Sequence, residues 1–175
     1  MKFIKTSLEG AYLIEPELLC DERGFFSRTY CVNEFAASGP PFSIVQSSIS
    51  FNKLRGTLRG MHYQKQPYSE IKLVRCTRGS IYDVIIDLRS DSNTYKRWFG
   101  VELTAANHLS VYIPAGFAHG FITLSDDAEV LYFMSEFYDP AGACGVRWDD
   151  PAFKIDWPIS PIVISGRDHA YPNFQ

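Results

Sequence analysis

Four side chains near the middle of the chain are of types that can carry chemistry. His62, Gln64 and Glu70 lie close together in the sequence, and His119 follows further along. An imidazole changes charge near neutral pH, so a histidine can take up or release a proton there. Imidazole and carboxylate groups also bind divalent metals, whereas an amide oxygen such as that of Gln64 suits such metals poorly. These residue types therefore permit proton transfer or metal binding, and for His119 also an ordinary hydrogen bond in the interior.

The elements that must position these side chains are predicted to be short strands. Apolar and β-branched segments recur about every ten residues with turn residues between them, which is typical of a β-sandwich or a jelly-roll barrel. We therefore expect a mainly β fold with a few short helices, the clearest of them over 32–37. The segment after Trp148 contains four prolines and is predicted to form loops and short turns. The predicted strands are 71–74, 81–88, 97–103, 109–113, 119–124 and 129–137.

Length and charge limit the classes of protein that fit. With 175 residues the chain suits one domain around a single core, which we expect to span 1–175. The formal net charge of -3 argues against a general binder of nucleic acid, which needs a surplus of cations. No apolar run approaches the roughly 20 residues that span a bilayer, so no membrane segment is expected.

The cysteines indicate the compartment. Cys20, Cys31, Cys76 and Cys144 are widely spaced and form no CxxC pair, which favours reduced thiols in a cytoplasmic protein. The N-terminal residues include several glutamates and lack an apolar segment ending in small residues, which argues against a secretory signal. A zinc site built from the four cysteines is a competing interpretation.

The segments around His62 and His119 resemble the paired motifs of the cupin superfamily, which are small jelly rolls of the double-stranded β-helix type. In metal-binding cupins the first motif offers two histidines and a glutamate, and the second offers one more histidine. His62, Glu70 and His119 match three of these positions, and Gln64 stands in the place of the second histidine. This resemblance implies a cupin-type barrel and keeps open a metal-dependent oxygenase or isomerase.

Over 10–170 the sequence resembles more closely the dTDP-4-dehydrorhamnose 3,5-epimerase family within the cupins. This resemblance implies an isomerase without a cofactor or a metal. Its usual substrate is a nucleotide-linked 4-keto-6-deoxy sugar, which loses a proton at carbon 5, and in the double epimerases also at carbon 3, and regains it on the opposite face. The segments that carry the resemblance are DERGFFSRTY (21–30), GTLRGMHYQ (56–64), KLVRCTRGSIYDVIIDLR (72–89), IPAGFAHGF (113–121), LYFMSEFY (131–138) and WDDPAFKIDWP (148–158).

The chemistry that this resemblance implies needs four groups. A C–H bond beside a ketone is a weak acid, so its proton must be removed by a base such as histidine, whose pKa lies near the working pH. The resemblance assigns this role to His62 and makes Asp168 the carboxylate that stabilises the resulting imidazolium. It assigns Lys72 to the developing enolate oxygen. Tyr132 matches the acid that returns the proton, since a tyrosine with a pKa of about 10 starts protonated.

Other positions match residues that hold the substrate. Arginine can bind phosphate oxygens with two hydrogen bonds, and Arg23 and Arg59 match arginines that contact the diphosphate. In this family the N-terminal segment often completes the pocket of a second subunit, so the resemblance implies a homodimer. The expected substrate-binding residues are Arg23, Phe26, Arg28, Gln46, Arg59, His119, Tyr138 and Arg167.

Arg28 departs from the family pattern. The double epimerases usually have an acidic residue there, at the nucleotide end of the pocket. A cation at that position suggests unchanged proton chemistry on a changed substrate, for example a CDP- or GDP-linked sugar or epimerisation at one carbon only. The same scaffold would also suit a ketoisomerase of such sugars or a sugar-binding cupin without activity.

Overall fold

Strands dominate the computed structural model, which describes residues 1–39 and 42–174. Two short helices occur in this part of the chain, α1 (Val32–Ser38) and α2 (Gly166–His169). The strands, in chain order, are β1 (Lys2–Lys5), β2 (Tyr12–Glu15), β3 (Leu18–Asp21), β4 (Gly24–Ser27), β5 (Gln46–Asn52), β6 (Thr57–Gln64), β7 (Lys72–Arg78), β8 (Ser80–Asp87), β9 (Trp98–Thr104), β10 (Ser110–Ile113), β11 (Phe117–Thr123), β12 (Ala128–Met134), β13 (Ala143–Gly145) and β14 (Val163–Ile164).

The strands form two large sheets and one separate hairpin. The first sheet has the order β1-β2-β10-β7-β12-β5, so β5 lies at its edge. The second has the order β13-β6-β11-β8-β9, and β14 pairs with β6 in parallel. Strands β3 and β4 pair only with each other among the described residues. This arrangement confirms the expected mainly β jelly-roll barrel with short helices.

The core lies between the two large sheets. Strand β8 shows why its sequence is almost continuously apolar, because it is buried on both faces. Ile81 and Ile85 point into the core between the sheets, whereas Val84 and Ile86 pack beneath the segment 146–157. The members of the core between the sheets include Val74, Cys76, Leu103, Val111, Phe121 and Val130.

The strands predicted after residue 71 and the first helix agree with the structure to within a few residues. The sequence did not predict β1 to β6 or β13. Strand β5 is polar and lies at a sheet edge, and β6 mixes charged, apolar and glycine residues, so neither shows a regular alternation. The proline-containing tail forms β14 and α2 in addition to the expected turns. In the described part of the chain, no helix is long and apolar enough to cross a membrane.

Candidate active site

A cavity of about 320 Å³ opens between the two large sheets. Its wall contains side chains from both sheets, so a bound molecule would be contacted from two sides. The second sheet contributes His62 and His119, and the first contributes Lys72 and Tyr132. Side chains that lie far apart in the sequence thus share one cavity.

His62 lies in β6 and is paired with Asp168 of α2. The Nε2 atom of His62 lies 2.6 Å from Oδ1 of Asp168, although 106 positions separate them in the chain. The His62 side chain is 41% exposed whereas that of Asp168 is 5% exposed, so the imidazole faces the cavity and shields the carboxylate. Because the carboxylate accepts the hydrogen bond at Nε2, the other ring nitrogen, Nδ1, is left to accept a proton.

The carboxylate of Asp168 is held in its ionised form. Burial by itself raises its pKa, but the hydrogen bond and the charge of His62 lower it, and so do hydrogen bonds from Gly60 and Ser165. The Gly60 N–H donates to Oδ2 of Asp168 over 3.3 Å. Ser165 also begins α2, because its side chain accepts a hydrogen bond from the Asp168 N–H over 3.1 Å. The same contacts that start the helix therefore orient the carboxylate.

Gly60 in β6 and Gly120 in β11 allow these two strands to lie close together. A Cβ atom on Gly120 would lie 2.6 Å from the sulfur of Met61 and 2.7 Å from the carbonyl oxygen of Arg59. Only a residue without a side chain permits this approach. The pairing of these strands sets His62 opposite His119. The two histidines therefore lie side by side in the wall of the cavity.

His119 makes a buried pair of its own. Its Nε2 atom lies 2.7 Å from Oδ1 of Asp83, and both side chains are at most 5% exposed. The ring of His119 also meets the ring of Tyr132 edge-on, with 6.0 Å between the centroids. The interior hydrogen bond that we considered for His119 is present, and the same side chain lines the cavity.

Lys72 at the start of β7 reaches across the cavity. Its Nζ atom lies 2.8 Å from Oε1 of Glu70 and donates to the carbonyl oxygen of His62 over 3.3 Å. Only 12% of its side chain is exposed. A buried ammonium held by a carboxylate and a carbonyl is a fixed positive charge, in contrast to the mobile charge of a surface lysine.

Tyr132 in β12 faces the cavity from the first sheet. Burial, and to a smaller extent the negative charge of Asp83, raises the pKa of its phenol well above the usual range, whereas the charge of Arg59 opposes this effect. The phenol is therefore protonated at neutral pH. It is a proton donor on the opposite sheet from the His62 imidazole.

Gln64 does not point its amide at a metal position. Its Nε2 donates to the carbonyl oxygens of Tyr68 and Phe137, over 2.9 and 3.1 Å, and its Oε1 accepts from the Asp139 N–H over 2.7 Å. The amide thus ties β6 to the segment that follows β12. Within residues 1–39 and 42–174, the structure contains no group of three or more histidine, cysteine, aspartate or glutamate side chains placed to hold a metal ion.

The other predicted binding residues fall into two sets. Arg59, Tyr138 and Arg167 line the cavity. Gln46 lies beside it and accepts a hydrogen bond from the Tyr138 N–H over 3.2 Å. Arg59 donates to the side chain of Asn52 over 2.7 Å, which fixes its orientation. These two arginines, Arg59 and Arg167, contribute positive charge to the wall of the cavity.

The second set lies at the β3–β4 hairpin, outside this cavity. Arg23 in the turn pairs with Asp21, and Arg28 just after β4 lies 2.8 Å from Glu34. Phe26 in β4 is 70% exposed. Within one chain these three residues do not join His62 and Lys72.

The sequence analysis did not identify two carboxylates that pair with residues of the site. Asp83 supports His119, and Glu70 holds Lys72 although we considered it only as a metal ligand. The sequence could have indicated Asp83, because it is a charged residue inside the apolar segment IYDVIIDL, where an aspartate needs a buried partner. The sequence around Glu70 gives no such indication, because this residue lies in a polar turn before β7.

The arrangement suits proton removal and return beside a carbonyl. A base with a partner carboxylate lies in one sheet, a protonated phenol lies in the other, and a fixed ammonium lines the same cavity. A planar enolate held between the sheets would have a proton carrier on each face, and its oxygen could meet the ammonium.

Comparisons with known proteins agree with this chemistry. A family model described as dTDP-4-dehydrorhamnose 3,5-epimerase matches residues 5–175. The dTDP-4-dehydrorhamnose 3,5-epimerase of Methanothermobacter thermautotrophicus is 46% identical over 170 residues, which cover 95% of this chain and 91% of that protein. The dTDP-4-dehydrorhamnose 3-epimerase of Streptomyces niveus is 40% identical over 169 residues, which cover 96% and 81%. The crystal structure of dTDP-4-dehydrorhamnose 3,5-epimerase from Bacillus anthracis with TDP and PPi bound superposes with a TM-score of 0.95 at 41% identity and covers 99% of both chains.

Proposed function

The chain belongs to the dTDP-4-dehydrorhamnose 3,5-epimerase family and is an isomerase, and we propose that it inverts carbons beside the C4 ketone of a dTDP-linked 4-keto-6-deoxy sugar. One observation carries the proposal. The His62–Asp168 pair of one sheet shares a cavity with Tyr132 of the other. Inversion needs a proton carrier on each face of the sugar ring, and two facing sheets supply them.

His62 removes the proton. Its Nδ1 accepts the proton from the carbon beside the ketone, and the Asp168 carboxylate stabilises the imidazolium that forms. The lowered pKa of Asp168 supports this role, because the carboxylate is ionised throughout the neutral range. The electrons of the broken C–H bond move onto the C4 oxygen, which becomes an enolate.

Lys72 stabilises that enolate and Tyr132 completes the inversion. A fixed ammonium in a partly buried cavity stabilises charge on the C4 oxygen as it develops, without reorganisation at the moment of reaction. The protonated phenol of Tyr132 then donates a proton to the opposite face of that carbon. These steps use only side chains of the chain, so the proposal requires no cofactor and no metal.

The nucleotide end of the substrate lies toward Arg59 and Arg167. Both arginines line the cavity, and guanidinium groups suit the two phosphates of a nucleoside diphosphate. We propose thymidine as the nucleoside, since the relative from Bacillus anthracis has TDP bound. Arg28 instead suggests a CDP- or GDP-linked sugar, and the experiment below includes both.

A second candidate is inversion at carbon 3 alone. It is favoured by the relative from Streptomyces niveus, which is named as a 3-epimerase and is 40% identical. The same four side chains would serve it, so the two candidates differ only in how the sugar ring is presented to them.

The active form is proposed to be a homodimer in which the β3–β4 hairpin completes the pocket of the partner. The hairpin exposes large apolar side chains, with Leu19 59%, Phe25 51% and Phe26 70% exposed. Strand β5 is a sheet edge and exposes 63% of Ile49 beside the cavity. Apolar surfaces of this kind are typical of interfaces, and a hairpin from a partner would bring its Arg23 to the phosphates.

We place this dimer in the cytoplasm. All four cysteines are free thiols, as is expected in a reducing compartment.

The experiment that tests the function is NMR of the protein with dTDP-4-keto-6-deoxyglucose in deuterated water. We expect deuterium at carbon 5, at carbon 3 or at both, and the labelled positions distinguish the double from the single epimerase. The His62→Ala variant should lose this incorporation. Incorporation only with a CDP- or GDP-linked sugar would correct the nucleotide, and no incorporation with any of the three would contradict the proposed function.

A further inference from the structure

Glu70 lines the cavity, and one of its two carboxylate oxygens is buried without a hydrogen-bond donor among the described residues. It precedes β7, lines the cavity wall, and only 6% of its side chain is exposed. Its Oε1 lies 2.8 Å from the ammonium of Lys72, whereas its Oε2 is buried and has no hydrogen-bond partner within the described residues. A buried carboxylate oxygen without a donor is unfavourable. This oxygen is therefore suited to a donor that arrives with a bound molecule.

The ammonium of Lys72 limits what that donor can be. An ammonium has three hydrogens, and here one is directed to Glu70 and one to the carbonyl oxygen of His62. The third hydrogen is available for the ketone oxygen of the substrate. Glu70 and the ketone oxygen then both lie next to the same nitrogen, so the part of the sugar that meets Glu70 must neighbour carbon 4.

Only one neighbour of carbon 4 has a hydrogen to donate. In a 4-keto-6-deoxy sugar, carbon 5 bears a methyl group and the ring oxygen, and neither is a donor. Carbon 3 bears a hydroxyl. We infer that Oε2 of Glu70 accepts a hydrogen bond from the hydroxyl on carbon 3, an inference that rests on the proposed function. Glu70 is thereby a specificity-determining residue as well as a positioning residue for Lys72.

This contact gives the enzyme a preference for sugars that keep the carbon 3 hydroxyl. A site built to bind a hydroxyl discriminates against an analogue without it, because the buried oxygen of the protein is then left unpaired. Discrimination by a cavity that merely encloses the sugar would be weak.

The test compares dTDP-4-keto-6-deoxyglucose with its 3-deoxy analogue in deuterated water. Exchange at carbon 5 is measured by NMR, since both compounds have a hydrogen there. For the wild-type protein we expect kcat/KM for this exchange to be about 10- to 100-fold lower with the analogue, the range of a hydrogen bond to a charged group.

Variants separate recognition from positioning. Glu70→Ala should bring the ratio between the two sugars to within about threefold, since no acceptor is left to be unpaired. The loss of support for Lys72 would lower both rates by the same factor and leave the ratio unchanged. Glu70→Gln keeps the shape of the side chain and one polar contact, so its ratio should lie between that of the wild type and that of Glu70→Ala. Glu102→Gln alters an exposed glutamate of β9 and should keep the wild-type ratio.

Three results would overturn the inference. The first is equal exchange of both sugars by the wild-type protein, which would mean that Oε2 makes no contact with the hydroxyl on carbon 3. The second is a Glu70→Ala variant that keeps the wild-type ratio. If this variant does not fold, an unchanged ratio in Glu70→Gln has the same meaning. The third is absence of exchange with either sugar, which would contradict the proposed function itself and is distinguished from the first two by the wild-type rates.

Discussion

At the scale of single residues, the 2.6 Å contact between His62 and Asp168 decides how the imidazole is presented. The carboxylate accepts a hydrogen bond at Nε2, so Nδ1 is the ring nitrogen that is left to accept a proton. The His62 side chain is 41% exposed and lines the cavity, whereas that of Asp168 is 5% exposed and is shielded from solvent. We therefore expect the proposed catalysis by this pair to depend on the charge of Asp168 more than on its size.

Asp168→Asn tests this dependence. The amide cannot stabilise the imidazolium and can hold the ring in the wrong tautomer, so we expect deuterium exchange to slow by about 100- to 10,000-fold. The measurement is the exchange rate at carbon 5 by NMR. Asp149→Asn is the control, since Asp149 pairs with Arg147 at the surface, 2.9 Å away. A rate within about threefold of the wild type in Asp168→Asn would show that the carboxylate charge plays no part.

Tyr132→Phe separates proton removal from proton return. The variant retains His62, so the hydrogen can still leave and a deuterium can return from the same face. We expect epimerisation to fall by at least about 100-fold while exchange with retained configuration falls much less. NMR of the sugar in deuterated water measures both quantities in one sample. Tyr95→Phe, outside the cavity, should change neither, and equal losses of exchange and epimerisation in Tyr132→Phe would argue against its role as the acid.

At the scale of elements, the connection between β8 and β9 is held by one buried carboxylate. Asp87 at the end of β8 accepts hydrogen bonds from Ser92 and Thr94, each over 2.6 Å, and from Arg89 over 2.8 and 2.9 Å. Burial raises its pKa, but these donors outweigh burial and lower the pKa to about 2. The ionised form of Asp87 is thus preferred in the folded state, and it stabilises the barrel.

The pH dependence of stability follows from this shift. A carboxylate whose folded pKa is depressed stabilises the protein above its unfolded pKa, and the contribution is lost as the pH falls toward the folded pKa. For a shift from 3.8 to about 2, the contribution at neutral pH is about 2 kcal/mol, lost between about pH 4 and pH 2. Urea unfolding at several pH values measures it.

Asp87→Asn should remove this dependence. We expect the variant to lose at least about 2 kcal/mol of unfolding free energy at pH 7, and the difference from wild type should shrink as the pH falls to about 2. The matched control is Asp91→Asn, which alters an exposed aspartate of the same connection. A difference from wild type that stays constant from pH 7 to pH 2 would mean that the charge of Asp87 does not stabilise the fold.

At the scale of the whole molecule, the described cavity is incomplete if Arg23 serves it. The hairpin that bears Arg23 contributes no residue to the wall of its own cavity and exposes apolar side chains. A twofold dimer resolves this, because each hairpin can then reach the pocket of the other chain. The proposal therefore links oligomeric state to activity.

Mixed dimers test the link. Arg23→Ala and His62→Ala chains should each be impaired alone, the first in substrate affinity and the second in exchange. After the two are mixed and allowed to exchange subunits, the heterodimer has one pocket with both residues intact. Since half of the dimers are then mixed, we expect recovery of on the order of a quarter of the wild-type exchange rate. No recovery, with subunit exchange verified by mass spectrometry, would place Arg23 in its own pocket or outside any pocket.

Local sequence patterns determined the burial of individual strands, the fold class and the family of this protein. The apolar run of β8 indicated that this strand is buried on both faces. Strands at regular intervals indicated a β-sandwich or a jelly-roll barrel, and the resemblance to the cupins implied the barrel. The segments around His62, Lys72 and Tyr132 identified the family and the type of reaction. These features depend on neighbours in the chain, so a single sequence reveals them.

Only the tertiary structure decided which distant side chains meet. Asp168 reaches His62 because β14 pairs with the start of β6 and carries α2 with it. His119 faces His62 because β11 and β6 share a register that Gly120 permits. The unpartnered oxygen of Glu70 is visible only once the cavity walls are in place. Contacts between such remote positions depend on strand pairing and close packing of the whole chain, and no local pattern specifies them.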